Sequence, residues 1–552
     1  MSFHSILWEA SGSQEDAARL QREARGGIVP EPSCFSDLRL DRVVASIVGD
    51  AEQEYGLNRH FRELPGSLAT VLYRQDVMRA LADGDIHAAM RSFSLEMRRM
   101  RVCTDHAKRL HVPDARRKWM LDGAVCYGNA AVALEKALRP GAGTPRLCSE
   151  GLLSLHVWLS DYVSSEWFRA FHTESCALQV ELEGIRYAVE VGKDRVTVHQ
   201  DECDPAEDYA GMLAGLFSRL SGKSEPGQKS GVPDAGHLSF FTDLEMGLLE
   251  IRILAVLEKN NPVPFTHLSA WCRSYADGDN LVPSFVHAVL NRFDREIQFY
   301  LSVIAFTKEL GRRGFCFSMP EVGDRIQHAG AGSDNRRRLM ILDGYDLALA
   351  IREGTTPDGI VPNDCRLEDP ERQMILTGPN QGGKTTYGRM LGQILWLASL
   401  GCPVPCRKAE VWLCDGIFTH FSVEEDMEMQ SGRLQEELRR LGPILSQAGP
   451  DSLVVLNELF STTTVRDALA MGQRILDQLD EKGCFCLYVT HAGDLAKAGR
   501  RCVSLVAEVR SDNPDIRTFR VVRRPADGYA GAHAIARKYR LDYPSLKERL
   551  NA

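Results

Sequence analysis

The sequence predicts a multidomain chain, helical over its first part and α/β over its last, with a phosphate-binding loop near the start of the α/β part. Three observations carry this expectation. An apolar run at 373–377 leads straight into GPNQGGKT, which fits the spacing G-x-x-x-x-G-K-[ST] from Gly378 to Thr385. Two further apolar runs of strand length follow, at 452–456 and 484–489, and each ends in residues a phosphate site can use. Upstream, apolar residues recur at steps of three and four over 243–257 and 285–310, the periodicity of helices that bury one face.

Each element of the α/β part follows from local chemistry. Gln373 to Thr377 reads as a buried strand, and Thr385 to Leu400 as a helix closed by Gly401. Gly378, Pro379, Asn380, Gln381, Gly382 and Gly383 form the loop between them, and Lys384, Thr385 and Thr386 open the helix. Gly382 and Gly383 let successive N–H groups curl around phosphate oxygens with no Cβ in the way. Lys384 can reach the β- and γ-phosphates, and the Thr385 hydroxyl can ligate Mg²⁺, so ATP with Mg²⁺ is the expected ligand. The run SLVVL ends in Asn457 and Glu458, which would bring a carboxylate beside the γ-phosphate, and Glu458 is the candidate for polarising the attacking water. CFCLYV ends in Thr490 and His491, from which an imidazole can sense or hold the same phosphate. One acid or histidine after a strand is usually loop surface. Three strand tips in series carrying a phosphate loop, a carboxylate and a histidine predict an ATPase.

TGPNQGGKTT, GCPVPC (401–406), DGIFTHFSVEEDMEMQSGR (415–433), NELFSTTT (457–464) and THA (490–492) together resemble the ATPase domain of the MutS family of DNA mismatch-repair proteins, within the ABC-type ATPases. The resemblance covers about the last 210 residues. It implies that Asn380 touches the γ-phosphate and that Ser431-Gly432-Arg433 plays the signature motif. In that superfamily the signature of one subunit completes the nucleotide site of the other, so a homodimer is implied, with Thr462 to Thr464 near its seam. The strand tip carries Asn457 where the family usually has an aspartate that helps hold Mg²⁺. A charged partner contributes ~1.5–3 kcal/mol against ~1 for a neutral one, so Thr385 and Asn457 are expected to hold the metal weakly and hydrolysis to be slow.

The division expected along the chain is a tail at 1–35, a MutS-like helical core and lever domain at 36–330, and an ABC-type ATPase domain at 340–552. CFSDLRLDRVVASI (34–47) resembles the entry to the core and lever domain. A stripe of Phe285, Val289, Phe293, Ile297, Tyr300 and Ile304 is assigned to packing. Ser221 to Gly236, rich in Gly, Ser, Pro and Lys, reads as a linker, and 177–202 as a small antiparallel meander. Six acids (Glu181, Glu183, Glu190, Asp194, Asp201, Glu202) against three bases (Arg186, Lys193, Arg195) give the meander a charge of minus three. Such a charge repels phosphates and disfavours a DNA-gripping clamp. The stretch before residue 36 is too short for the mismatch-reading domain of a MutS repair protein. Phe61-Arg62-Glu63 spells that domain's wedge tripeptide within a helical region, as coincidence. After the strand-like 518–522, one or two helices are expected from Tyr529 to Leu550.

With 552 residues, 44% hydrophobic and 26% charged, the chain has ample material for a folded core. It has no apolar run of about 18 residues and no leader-like start, so a cytoplasmic protein outside the membrane is expected. The cysteines show no C-x-x-C pair, and Cys402, Cys406 and Cys414 lack a fourth ligand at metal spacing. The net charge of minus nine confines any nucleic-acid contact to local patches. The densest is 98–118, with Arg98, Arg99, Arg101, Lys108, Arg109, Arg116, Arg117 and Lys118, and a second is Arg336 to Arg338. A solvated helix face is the default reading of such runs, and the lining of a central channel the alternative. Two functions follow: an ATP-gated dimeric clamp on double-stranded or branched DNA, acting in repair or recombination, or a ribosome- or RNA-directed ABC-type ATPase.

Overall fold

A computed structural model describes residues 3–9, 29–139, 149–191, 196–199, 248–278, 281–324, 339–421, 433–460, 463–497, 501–510 and 516–526, with Gly499 and scattered positions from 541 to 549. The expected linker at 221–236, Arg336 to Arg338 and most of 529–550 lie outside the described residues. Helices and mixed sheets make up the molecule, and its contacts divide it into two compact units. One comprises 88–144 and 156–294, the other 2–87, 145–155 and 295–552. This grouping differs from the linear division, because the segments at 2–87 and 295–324 pack with the α/β part.

That α/β unit is built on a six-stranded sheet. Its strands are β1 (Gln373–Thr377), β2 (Ile417–Phe421), β3 (Leu453–Asn457), β4 (Phe485–Val489), β5 (Cys502–Val509) and β6 (Arg517–Arg523), in spatial order β2-β3-β4-β1-β5-β6. All neighbours are parallel except β5 and β6. Every residue of β1, β3 and β4 is buried, as parallel strands covered on both faces require, and this is why they read as unbroken apolar runs. The parallel register brings Thr377, Asn457 and Val489 to one edge, so the residues after them emerge side by side.

Helix α1 (Lys384–Ser399) follows β1 and buries most of its length. It stops at Gly401, whose φ of +82° only glycine adopts freely and where a Cβ would stand 2.9 Å from Cβ of Arg74. Helix α2 (Arg433–Gln447) and α3 (Val465–Lys482) cover β3 and β4 with a cluster that includes Leu441, Ile444, Phe460, Ile475, Leu476 and Leu479. Thr464 caps α3 by accepting the N–H of Asp467 at 3.2 Å. A four-stranded mixed sheet, ordered Glu321–Gly323, Lys408–Trp412, Leu339–Gly344, Asn363–Leu367, belongs to the same unit.

Residues 34–47, which resemble the entry to a core and lever domain, pack on the α/β part. They form helices Cys34–Leu38 and Leu40–Val48, broken by Arg39 at φ +56°, and dock on α1. Gln393 donates to the Leu38 carbonyl at 2.8 Å, Arg389 to that of Asp37 at 3.1 Å, and Thr419 to the Asp37 carboxylate at 2.7 Å. A Cβ at Gly392 would overlap the Leu38 side chain at 2.6 Å, so this glycine permits the close seat. Phe61 is fully buried and packs on Phe299 at 4.9 Å, which is a core role.

The other unit is helical and aromatic at its centre. Tyr127, Phe171 and Phe285 are fully buried together, and Tyr127 and Tyr162 share a hydrogen bond of 2.9 Å. Of the expected meander, 177–183 instead continues the helix Glu166–Glu183, and two strands, Ala188–Val191 and Val196–His199, form an antiparallel pair. ALQVELE alternates like a strand, but its residue types favour helix, and Leu178 falls one turn beyond the buried Phe171 and Ser175. Within the basic segment, Arg99 pairs with Glu96, Arg101 with Asp294, Lys108 with Asp105, Arg117 with Asp114 and Lys118 with Asp122. The four local pairs favour the solvated-face reading, while Arg101 instead reaches the buried Asp294. Among the described residues no helix is long and apolar enough to cross a membrane.

Candidate nucleotide site at the strand tips

The loop after β1 has the backbone a phosphate cradle needs. Gly378 at φ +134° and Gly383 at φ +90° occupy conformations that side chains avoid, and a Cβ at Gly378 would stand 2.9 Å from both Cβ and the carbonyl of Ala507. At Gly382 a Cβ would meet the Pro379 carbonyl at 2.9 Å. Pro379 is buried, Asn380 and Gln381 are exposed, and Gln381 joins the left-handed region at φ +59°. The loop delivers its chain to the N-terminus of α1, where unpaired N–H groups and the helix dipole favour an anion. Thr385 and Thr386 lie half-buried in the first turn.

Lys384 is buried. Its ammonium donates to the carbonyls of Gly378 at 3.0 Å and Pro379 at 3.2 Å, and to Asn380 Oδ1 at 3.4 Å. It also lies 3.5 Å from Glu458 Oε1. Burial pulls its pKa down, and the Glu458 carboxylate partly offsets that pull.

The turn after β3 places Glu458 in the same space. Its N–H continues the ladder to the Val489 carbonyl at 2.9 Å, and its backbone then turns into the left-handed region at φ +55°. The same carboxylate oxygen stands 3.5 Å from His491 Nε2, so Lys384, Glu458 and His491 converge from β1, β3 and β4. The His491 ring, 3.5 Å from that oxygen, is the main cause holding the Glu458 pKa below the usual carboxylate value, ahead of the nearby lysine and against burial. The carboxylate is therefore ionised at neutral pH, the form a water-orienting base requires.

Thr385 donates to Asn457 Oδ1 at 3.3 Å, which brings the two expected metal ligands together. Both are neutral oxygens, the donor class a hard cation accepts, and among the described residues no group of three His, Cys, Asp or Glu is arranged to hold a metal. Thr385 and Asn457 would therefore hold Mg²⁺ only with triphosphate oxygens supplying the charge. Ser431 and Gly432, the expected signature residues, lie outside the described residues, as do Asp426 and Thr462.

Two neighbours of the site belong to no motif. The exposed ring of Phe519, at φ +59°, packs beside Gly383, and its carbonyl accepts from Asn363 at 3.0 Å. The buried Glu437 accepts the N–H of Phe460 at 3.0 Å, two residues beyond Glu458. Glu437 had a signal: it interrupts the apolar stripe Leu434, Leu441, Ile444 and Ala448 at helical spacing.

Residues 374–530 match the family model described as MutS domain V. Among curated relatives, the DNA mismatch repair protein msh3 of Botryotinia fuckeliana is 38% identical over 152 residues, 27% of this chain and 13% of the relative. The DNA mismatch repair protein MutS of Granulibacter bethesdensis is 37% identical over 149 residues, 27% of this chain and 16% of the relative. Msh3 of Mus musculus is 30% identical over 176 residues, 32% and 16% of the two chains. The matched segment thus spans less than a fifth of these relatives' length.

Proposed function

We propose that this chain, which is MutS-related through its domain V, is an ATPase that uses nucleotide-driven closure of a homodimer to grip double-stranded or branched DNA in repair or recombination. The observation that carries the reading is the meeting of Lys384, Glu458 and His491 at three adjacent strand tips, beside a glycine-lined loop and the Thr385 and Asn457 oxygens. ATP would lie along Gly378 to Thr386, with Lys384 on its β- and γ-phosphates and Mg²⁺ neutralising phosphate charge at Thr385 and Asn457. Glu458 would orient the attacking water and accept its proton, and His491 would keep that carboxylate ionised and in place. Ser431 and Gly432 of a second copy would complete the site. The likeness to DNA mismatch repair proteins favours DNA as the partner.

The test uses Glu458→Gln, which keeps the shape and removes the base. It should bind ATP and turn over at least ~100-fold more slowly. The ATP-trapped variant should dimerise by light scattering and shift duplex or branched DNA in a gel. Wild-type turnover would remove Glu458 from the catalytic role, and a monomer at saturating ATP would sink the composite site. Co-sedimentation with ribosomal subunits in place of a DNA shift would favour the RNA-directed reading.

A further inference from the structure

We infer that Glu437 is a positioning residue for ATP hydrolysis: through the Phe460 N–H it holds the turn that aims Glu458. The inference rests on the reading of Glu458 as the water-orienting base. Glu458 and Phe460 are both left-handed, at φ +55° and +60°, and the Leu459 between them is buried. Two left-handed side-chain-bearing residues within three are costly, so the turn persists only where its surroundings fix it. On one side the fixing contact is the ladder bond from the Glu458 N–H to Val489. On the other it is the Glu437 carboxylate, which accepts the Phe460 N–H at 3.0 Å.

Among the described residues the Phe460 N–H is the hydrogen-bond donor that meets the Glu437 carboxylate. Leu434 and Leu441 flank position 437 on the same face, and an apolar residue would fill it. A carboxylate kept inside an apolar stripe, with its oxygen on the one N–H that follows the catalytic turn, fits a role in that turn. Glu437 stands one turn into a helix that begins at Arg433, directly after the expected signature residues Ser431 and Gly432. A displacement of that helix therefore reaches the Glu458 turn through this hydrogen bond as well as through the cluster that Leu441 and Ile444 share with Leu459 and Phe460.

The test compares three variants by steady-state ATPase assay, with folding followed by thermal melting. Glu437→Leu fills the site and removes the acceptor, so kcat should fall roughly 10- to 100-fold, the cost of misplacing a catalytic group by about 1 Å, with KM for ATP within about twofold. Glu437→Gln keeps an acceptor oxygen without the charge and should retain most of the activity. Glu437→Asp keeps the charge but withdraws it by one methylene, so kcat should fall as in Glu437→Leu. This variant carries the test if the leucine does not fold. Wild-type kcat in both Glu437→Leu and Glu437→Asp, or a rise in KM matching any fall in kcat, would overturn the inference. So would a glutamine variant as slow as the leucine. Glu458→Gln run alongside separates the levels: if it is inert while the Glu437 variants are normal, only the positioning role is wrong. If it turns over normally, the reading of Glu458 itself is wrong.

Discussion

The loop after β1 and the turn after β3 meet the same geometric demand with opposite materials. Both must reverse the chain sharply at a strand tip and present groups to one point. After β1 the left-handed and extreme conformations fall mainly on Gly378 and Gly383, with Gln381 the side chain among them. After β3 they fall on Glu458 and Phe460, where each costs about 1–2 kcal/mol and needs outside support from Val489, His491 and Glu437. The first tip is stable by composition, the second by its partners. Changes at the first should therefore act on nucleotide binding, and changes at the second on the rate with binding intact.

The largest break is expected at the first tip. Lys384→Ala removes the ammonium that lies over the loop and should weaken ATP binding at least ~100-fold by calorimetry. Undiminished affinity would show that the loop does not cradle phosphate. Gly378→Ala tests the backbone alone, since φ +134° excludes a side chain and the new Cβ would meet Ala507 at 2.9 Å. Strain there should lower stability by about 1–3 kcal/mol and abolish measurable ATP binding while the rest of the chain stays folded. An alanine variant with normal melting temperature and affinity would mean that this glycine is not structurally required.

The same contrast explains what could be read without coordinates. The β1 tip is a local device, so spacing of Gly, Lys and Thr was enough to find it, and buried parallel strands gave β1, β3 and β4 as apolar runs. Glu458 and His491 were legible because they follow such runs. The sequence shows Glu437 only as a break in an apolar stripe, because its role depends on which N–H its helix meets 23 residues later. Residues 34–47 resemble the entry to a core and lever domain, and their seat on α1 rests on Gly392, Gln393 and Thr419, far along the chain. At 177–183 an alternating pattern lost to helix propensity and one buried turn. Long-range partners, absent from any window of sequence, decided each case.

The metal position sharpens the comparison from between the tips, because Thr385 belongs to the first and Asn457 to the second. The two oxygens brought together there, Thr385 Oγ1 and Asn457 Oδ1, are both neutral. Asn457→Asp should lower the Mg²⁺ concentration for half-maximal ATPase roughly tenfold if the restored charge contributes ~1.4 kcal/mol. No shift in a Mg²⁺ titration would mean that another acid already supplies that charge, and Asp426 or Glu425 would be the first to replace.

The smallest effect should appear in the pH profile of the second tip. His491 is the leading cause of the depressed Glu458 pKa, so the carboxylate stays ionised below the ordinary carboxylate range and the acid limb of kcat should lie lower than that of a free glutamate. The sign follows directly: a carboxyl with a lowered folded pKa contributes its stability above the unfolded pKa and loses it as the pH falls through the folded one. His491→Ala removes the imidazole but leaves Lys384 at 3.5 Å, so the acid limb should move upward without vanishing. The reason is that burial, which raises the pKa, is then opposed by the lysine alone. A kcat profile measured from pH 4 to 8 on both proteins reads this shift independently of absolute rate. An unmoved acid limb would mean that the imidazole only contacts the phosphate end of the site, and that the turn holds Glu458 ionised through Lys384.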